Sequence, residues 1–567
     1  MTGNQALCSA LERLGVKHVF GVPGTQNVDL FEALRLSSLR TILATHELAA
    51  GFMANGYYRA SGKVGVLITI PGPGFAYTVA AIAEASQDSA ALVYITGKPA
   101  GQTGRKYNLQ EIDQKSILAP LVKRVIEVDA AGEIVSATRE AYQTATAGEP
   151  GPVLLQIDPR CMSAPDAESP TREVPQPMAS LPSEVLREAA SLLGASPRVV
   201  LFAGQGANDA PKRLRELAEW LGALVVTTRS GRGVVPEDHP FVMQFDFSDQ
   251  GVRSLNAILD RSDLILAIGC KFTHNGTYGF QLRFPQDKLI HVDSSAEVLQ
   301  ANYPARLAIC AGAAAFLDAL WQFRETFARQ KKGWDDHEIE SFKESATRKS
   351  DAVEPVIQGV EPATPAGFFS ALRRAMPADA CLVTDSGLHQ VLATRHFRVL
   401  TPRGMVIPSD FQSMGFGLPA AIGAKLATPH RKVVALIGDG GLAMSGMEIL
   451  VAVRERIPIT VIVFNDGALG QIRLQQLSSF GRTHATTLLN PDLPLFAEAL
   501  GAAYVHLESD GERTLREVLN SDRVTLVEVN VVDSNGMFRE RVKGLGRSSA
   551  RRVLPPSLLR WIKTKLG

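Results

Sequence analysis

Residues 433–448 read Val433-Val434-Ala435-Leu436-Ile437-Gly438-Asp439-Gly440-Gly441-Leu442-Ala443-Met444-Ser445-Gly446-Met447-Glu448, and the chain runs on to Ile459-Thr460-Val461-Ile462-Val463-Phe464-Asn465-Asp466. Val433 to Ile437 is an unbroken apolar run, the pattern of a strand buried on both faces. Gly438, Asp439, Gly440 and Gly441 are expected to turn the chain at that strand's C-terminal end. Ser445 to Val453 has an amphipathic helical pattern, and Ile459 to Phe464 is a second apolar strand. A strand, a glycine turn, a helix and a strand within about thirty residues make a parallel βαβ unit.

Such a unit puts Asp439 and Asp466 at the C-terminal ends of two parallel strands, the edge where open α/β sheets bind ligands. Two hard oxygen donors beside glycines suit Mg²⁺ holding a diphosphate, because Mg²⁺ takes a few protein oxygens and completes its shell with phosphate and water. A lone Gly-Asp-Gly reads equally as a strand-to-helix turn with a capping Asp; the spaced Asn465-Asp466 decides for a site.

Working outward, 567 residues are enough for about three domains. Composition is that of a globular enzyme, with 45% hydrophobic and 21% charged residues and a net charge of +1. That balance argues against a nucleic-acid partner. Cys8, Cys161, Cys270, Cys310 and Cys381 lie far apart with no Cys-x-x-Cys pair, which speaks against zinc or a disulfide framework and fits a reducing, cytoplasmic compartment. The N-terminus shows no basic-then-apolar signal pattern, and no apolar run reaches the ~20 residues of a membrane span, so no membrane association is expected.

Strand and helix alternate through three blocks, predicting an α/β protein of three doubly wound parallel sheets. The first domain is set at 1–165, with strands at Val19–Val22, Val64–Ile70 and Leu92–Gly97, and helices at Asn27–Leu36, Leu48–Arg59 and Ala76–Ala85. A proline-rich linker, Pro170–Pro182, leads to a central domain at 185–330, with strands near Val199–Ala203, Leu224–Thr227, Leu264–Ile268 and Leu289–Val292. The charged stretch Gln330–Pro355 reads as a surface helix and linker. The third domain, 360–535, carries the Gly-Asp-Gly unit, and 536–567 is a basic tail with nine Arg or Lys between Arg539 and Lys565 against one acid, Glu540.

The segment from Gly438 to Asp466 resembles the thiamine-diphosphate motif, which opens Gly-Asp-Gly and closes Asn-Asn; Asp466 stands where Asn is commoner. The whole chain is similar to the acetolactate-synthase-like (large, catalytic subunit) group of the thiamine-diphosphate-dependent enzymes, whose three domains bind the pyrimidine, form the middle and bind the diphosphate. The resemblance implies Mg²⁺ ligands in the Asp439 carboxylate, the Asp466 side chain and the Ala468 carbonyl. Gly438, Gly440, Gly441, Leu469 and Gly470 would flank the diphosphate. Asp385-Ser386-Gly387-Leu388-His389-Gln390 is similar to the loop that hydrogen-bonds it, giving Ser386, Gly387, Leu388 and His389, with Gln412 close by. Met414, 25 residues before Asp439, matches the bulky residue that holds the cofactor bent. Glu47, in Thr45-His46-Glu47, matches the catalytic glutamate that hydrogen-bonds the aminopyrimidine and is counted with the cofactor-binding residues. Taken alone, a Glu at a helix start does no more than complement the helix dipole.

For the substrate, Tyr107-Asn108-Leu109-Gln110-Glu111 is similar to the stretch that lines the pocket in acetolactate synthases, which makes Leu109 a substrate-side candidate and Gln110 a substrate-side and catalytic one. Gln26, Gln471 and Gln475 are further candidates at positions where the family's pocket varies. Pro71-Gly72-Pro73-Gly74-Phe75 departs from the family's Ser-Gly-Pro-Gly-Ala, so the pocket is remodelled. In the middle domain Gly204-Gln205-Gly206 lacks the third glycine of a dinucleotide fingerprint, and Lys271-Phe272-Thr273-His274-Asn275 replaces the Arg-rich stretch that grips FAD in relatives. This favours a structural remnant over an FAD site and leaves FAD open.

The implied activity is decarboxylation of a pyruvate-like 2-oxo acid with carboligation to a second carbonyl compound, by a homodimer or homotetramer with sites at the subunit interface. A simple 2-oxo acid decarboxylase, a 2-hydroxyacyl-CoA lyase using the basic tail, and a non-catalytic cofactor-binding homologue stand as alternatives.

Overall fold

The computed structural model describes residues 1–99, 108–165, 181–325, 333–347 and 354–532. Its first sheet has six parallel strands: β1 (His18–Gly21), β2 (Arg40–Leu43), β3 (Gly65–Thr69), β4 (Leu92–Gly97), β5 (Arg124–Val128) and β6 (Pro152–Ile157), in the order β2-β1-β3-β4-β6-β5. Fully buried β3 and β6 are the apolar runs that read plainly from sequence. Edge strand β2 is largely exposed, so its sequence carries no such run.

The second sheet has five parallel strands: β7 (Val199–Ala203), β8 (Leu224–Thr227), β9 (Leu264–Ile268), β10 (Leu289–Asp293) and β11 (Leu307–Cys310), ordered β11-β10-β9-β7-β8. The helix Asp336–Thr347 packs on this domain. It is not a simple surface helix: Ile339 and Phe342 are buried, as is Trp334 just before it, whose Nε1 donates to Val199 O at 3.0 Å.

The third sheet has seven strands: β12 (Val356–Ile357), β13 (Cys381–Thr384), β14 (Met405–Val406), β15 (Val433–Gly438), β16 (Thr460–Asn465), β17 (Ala503–His506) and β18 (Thr525–Val532). The path is β12-β18-β16-β15-β13-β14, with β17 also pairing β18. Short β12 runs antiparallel to β18, so this sheet is not wholly parallel as expected. Each sheet lies between helices, giving the three-domain α/β architecture expected from the alternation.

Three local expectations fail. The Gly438–Gly441 stretch is no turn: Asp439 opens a helix, Asp439–Ser445, with Gly438 as its N-cap residue. The segment Ser445–Val453 is not one helix, because a 3-10 turn at Gly446–Glu448 separates that helix from Ile449–Arg454. The helix foreseen at Ala76–Ala85 is likewise two, Pro73–Tyr77 and Val79–Gln87, meeting at Thr78. Nearly all of the proline-rich linker, and the basic tail, lie outside the described residues.

The first and third domains meet through two helices, Glu47–Ser61 and Gly417–Ala427. Added Cβ atoms at Gly56 and Gly423 would sit 2.1 Å from Ala420 O and 1.9 Å from Met53 O, so the backbones touch. The pairings 56 with 420 and 53 with 423 make the helices antiparallel. Glu47 therefore lies at one end of the pair and the start of the Gly417 helix, just after Met414, at the other.

Candidate active site

The third domain builds a cleft of about 370 Å³ at the C-terminal ends of β13, β15 and β16. Asp439 is 4% exposed at the first helical position after β15. Asp466 follows β16, and Ala468 N donates to its Oδ1 at 3.3 Å. Asn490 joins the two strand ends, its Nδ2 donating to Asp439 Oδ2 and Asn465 Oδ1, each at 2.8 Å.

Burial raises the pKa of Asp439. Burial and the nearby Asp439 charge push Asp466 up to about 6, with Arg473 Nη2 at 3.6 Å opposing that rise. Two neighbouring carboxyls, each raised by burial and one of them raised further by the other's charge, call for a cation. Among the described residues no cluster of three or more His, Cys, Asp or Glu side chains forms a cation cage. Two carboxylates plus the Ala468 carbonyl, which accepts from Gly470 N at 2.9 Å and keeps a lone pair, fit Mg²⁺ completed by phosphate oxygens.

The other third-domain candidates line the same cleft: Ser386, Gly387, Leu388, His389, Gln412, Met414, Gly438, Gly440, Gly441, Leu469, Gly470, Gln471 and Gln475. Ser386 Oγ donates to Gln412 Oε1 at 3.1 Å, and the Met414 methyl lies over Gly440. His389 has a packing place: its ring lies against Gly387 and Gly438, its Nε2 meets Asp385 O at 3.0 Å, and burial lowers its pKa to about 4.

The first-domain candidates form a separate group. Glu47 is the first residue of its helix, with His46 as N-cap, and its Oε1 lies against Gly74. Gln26 Nε2 donates to Gln110 Oε1 at 2.6 Å. Gln110 has a φ of 59° and faces Gly72, itself at 69°, so closely that a Cβ on Gly72 would meet its Cβ at 2.5 Å. Leu109 is 75% exposed. None of these residues lines the third-domain cleft.

Several residues at or behind the cleft had not been singled out. Arg229 and Asn275 reach it from the middle domain, and Arg229 is the one Lys or Arg among its described lining residues. The Arg229 guanidinium lies 4.6 Å from the Phe247 ring, its Nε has no hydrogen-bond partner, and burial lowers its pKa only to about 10, so it is charged at neutral pH. Asp385, fully buried, accepts from Ser386 N, Gly415 N and Phe416 N at 2.8, 2.9 and 3.2 Å, joining the loop after β13 to the one around Met414. Glu448, 1% exposed, accepts from Thr45 N at 3.2 Å and from the Thr45 hydroxyl, tying the approach to Glu47 to the third domain. Asn275, Asp385 and Glu448 lie within stretches quoted from the sequence but were given no role there, and Arg229 lies in none of them.

Comparison with known proteins agrees with this geometry. Residues 1–117, 186–320 and 385–529 match the N-terminal TPP binding, central and C-terminal TPP binding domains of thiamine pyrophosphate enzymes. The chain is 32% identical to the acetolactate synthase isozyme 1 large subunit of Escherichia coli K12 over 539 residues, 94% of each chain. It is 30% identical to a probable acetolactate synthase large subunit of Methanocaldococcus jannaschii, over 94% of this chain and 92% of that one. It is 29% identical to the acetolactate synthase large subunit of Haemophilus influenzae, over 96% and 97%. Matched across nearly its whole length, the chain belongs to the thiamine pyrophosphate enzyme family, alongside the acetolactate synthase large subunits.

Proposed function

We propose that the protein decarboxylates a pyruvate-like 2-oxo acid and joins the carbon unit left after loss of CO₂ to a second carbonyl compound; its likeness to proteins named acetolactate synthase supports this reading. Thiamine diphosphate, when bound, would take up the electron pair that decarboxylation releases and make it available to the second carbonyl. The observation that carries the reading is the gathering of every third-domain candidate, from Ser386 to Gln475, around one cleft. Asp439, Asp466 and the Ala468 carbonyl would hold Mg²⁺, while the backbone near Gly387 and Gly440 receives the diphosphate. Met414 would support the bend of the cofactor, and Glu47 would hold a proton at the aminopyrimidine. Arg229 offers the positive charge that a substrate carboxylate needs in a half-buried cleft. Gln26, Leu109 and Gln110 would face the substrate from the first domain, and Gln471 and Gln475 from the third.

The site is proposed to need two copies of the chain. Glu47 is about twelve residues, or ~18 Å of helix, from the end of the Glu47–Ser61 helix that lies beside the start of Gly417–Ala427. Val28, Tyr77 and Leu109 are exposed on the first domain, as are Met444, Met447 and Ile472 on the third, apolar surface suited to a second copy. The domain limits 1–165, 185–330 and 360–535, and a cytoplasmic location, belong to the same proposal. Among the described residues no helix is long and apolar enough to cross a membrane.

The reading does not call on FAD. The middle domain has a cleft of about 300 Å³ at Gly204, Gly206 and Gly269, but two of the three Lys or Arg among its described lining residues are engaged in ion pairs, Lys271 with Glu149 and Arg403 with Asp209, each at 2.7 Å. The third, Arg229, is the residue this reading gives to the substrate.

The test is to incubate the protein with thiamine diphosphate, Mg²⁺ and pyruvate and read the products by proton NMR. Acetolactate is expected. Acetaldehyde alone would replace the reading with a simple decarboxylase, and no turnover of pyruvate would remove it as donor in favour of other 2-oxo acids or acyl-CoAs.

A further inference from the structure

A buried acid that the chemistry above does not use lies behind the cofactor loop. Glu84, on the helix Val79–Gln87 of the first domain, is 0% exposed. Its Oε2 accepts from Ser413 N of the third domain at 2.8 Å, and its Oε1 has no partner. One turn on, Asp88 Oδ1 accepts from Ser409 N at 3.1 Å, while Asp88 Oδ2 forms a 2.6 Å ion pair with Arg59, both side chains buried. Arg59 extends the network by donating to Ile407 O at 3.1 Å and to Ser230 Oγ at 3.2 Å. The loop from Ile407 to Ser413 is thus fastened to the first domain at three points, immediately before Met414. On the other side of Met414, Asp385 holds Gly415 N.

We propose that Glu84 is a positioning residue for cofactor binding: its carboxyl, holding Ser413 N–H, sets where Met414 and Gln412 stand in the cleft. Gln412 is in a left-handed conformation, φ 64°, which a non-glycine residue keeps only where its surroundings hold it. Its Nε2 donates to Pro408 O and Ser409 O, both at 2.6 Å, so a shift at Ser413 passes directly to the residue that meets Ser386.

The charged groups facing Glu84 are Asp88 on its own helix and Arg59 across from it, and Arg59 is already committed to Asp88. Burial, then the Asp88 charge, push the Glu84 carboxyl up to about 8. The protonated, neutral acid accepts from Ser413 N without adding charge; ionised, it places a second buried anion beside Asp88 with no free cation. Because the folded protein holds this proton above the ordinary carboxylate pKa, folded stability falls as pH rises from that value to about 8 and then levels.

The experiment is calorimetric titration of the full-length protein with thiamine diphosphate and Mg²⁺ from pH 6.5 to 9, with thermal unfolding of the cofactor-free protein beside it. For the wild type, affinity is expected to weaken severalfold above about pH 8. Glu84→Gln keeps an acceptor for Ser413 N but cannot ionise, so it should bind within about threefold of wild type at pH 7 and lose the pH break. Glu84→Ala leaves Ser413 N–H buried and unpaired and should bind about tenfold or more weakly at every pH. A Glu84→Gln profile that follows wild type, or an Ala variant that binds as wild type does, would overturn the proposal. Should the Ala variant fail to fold, the Gln profile decides alone. The inference rests on the thiamine-diphosphate reading of the cleft; if no cofactor bound at all, that reading would fail, and the unfolding arm would still show whether Glu84→Gln removes the pH dependence.

Discussion

The two halves of the candidate site are built in opposite ways. The third-domain half is a walled cleft with its polar groups already arranged: Asn490 spans Asp439 and Asn465, and Asp385 ties two loops together. The first-domain half is an open edge, where Gln26 meets Gln110 and Leu109 stands in solvent. A cleft that presents two carboxyls and one arginine is prepared for a charged ligand, whereas the open edge has only a glutamate and amides to offer. The difference separates holding the cofactor from acting on it, and each task can be broken without the other.

The largest effect is expected at Glu47. Glu47→Gln should lower turnover by about 10²–10⁴-fold, the range for a positioned proton-transfer group, while calorimetric affinity for thiamine diphosphate stays near wild type. Retained turnover would remove the assigned role. Asp466→Ala should do the reverse at the other half, weakening Mg²⁺-dependent cofactor binding by on the order of 10- to 100-fold. Unchanged binding would dismiss the metal site.

Mixing the two damaged proteins sharpens the comparison. If each site joins Glu47 from one copy to Asp466 from another, a heterodimer of Glu47→Gln and Asp466→Ala has one intact site and one doubly damaged site. Random re-association should then restore about a quarter of wild-type turnover. If both residues came from the same copy, every site would carry damage and mixing would restore nothing.

The third-domain half was largely legible in the sequence because its ligands sit on one βαβ unit, where apolar runs fix the strands and the sheet topology fixes the edge. What escaped there was local: Gly440 and Gly441 read as a turn, yet they continue a helix from Asp439, since the packing of buried Leu442 overrides weak helix propensity. The contacts across domains left no such trace. Arg229 reads as part of a loop and Glu84 as one more position on an Ala-rich helix. The group that Glu84 holds lies far away in sequence, Ser413 being 329 residues on. Periodicity and spacing report what a segment does for itself, and the residues that align one domain's loop on another leave no periodic mark.

A smaller effect is expected at Asn490, which touches Asp439 without being a candidate ligand. Asn490→Ala should weaken metal-dependent cofactor affinity by about tenfold, less than loss of Asp466, because the carboxylate remains but is no longer aimed.

The smallest effect on the fold is expected at Leu109, and it tests the open half directly. Removing a buried leucine side chain costs about 2–5 kcal/mol, but a side chain 75% exposed makes few contacts to lose. Leu109→Ala should therefore leave unfolding of the separated chain within about 0.5 kcal/mol of wild type. Its substrate preference should still change, seen as a shifted ratio of products when pyruvate and a bulkier 2-oxo acid compete, because the proposed assembly places this side chain beside the cleft of a second copy. A variant that lost stability and kept its product ratio would make Leu109 a folding contact, and the open edge would no longer be the half of the site that selects substrate.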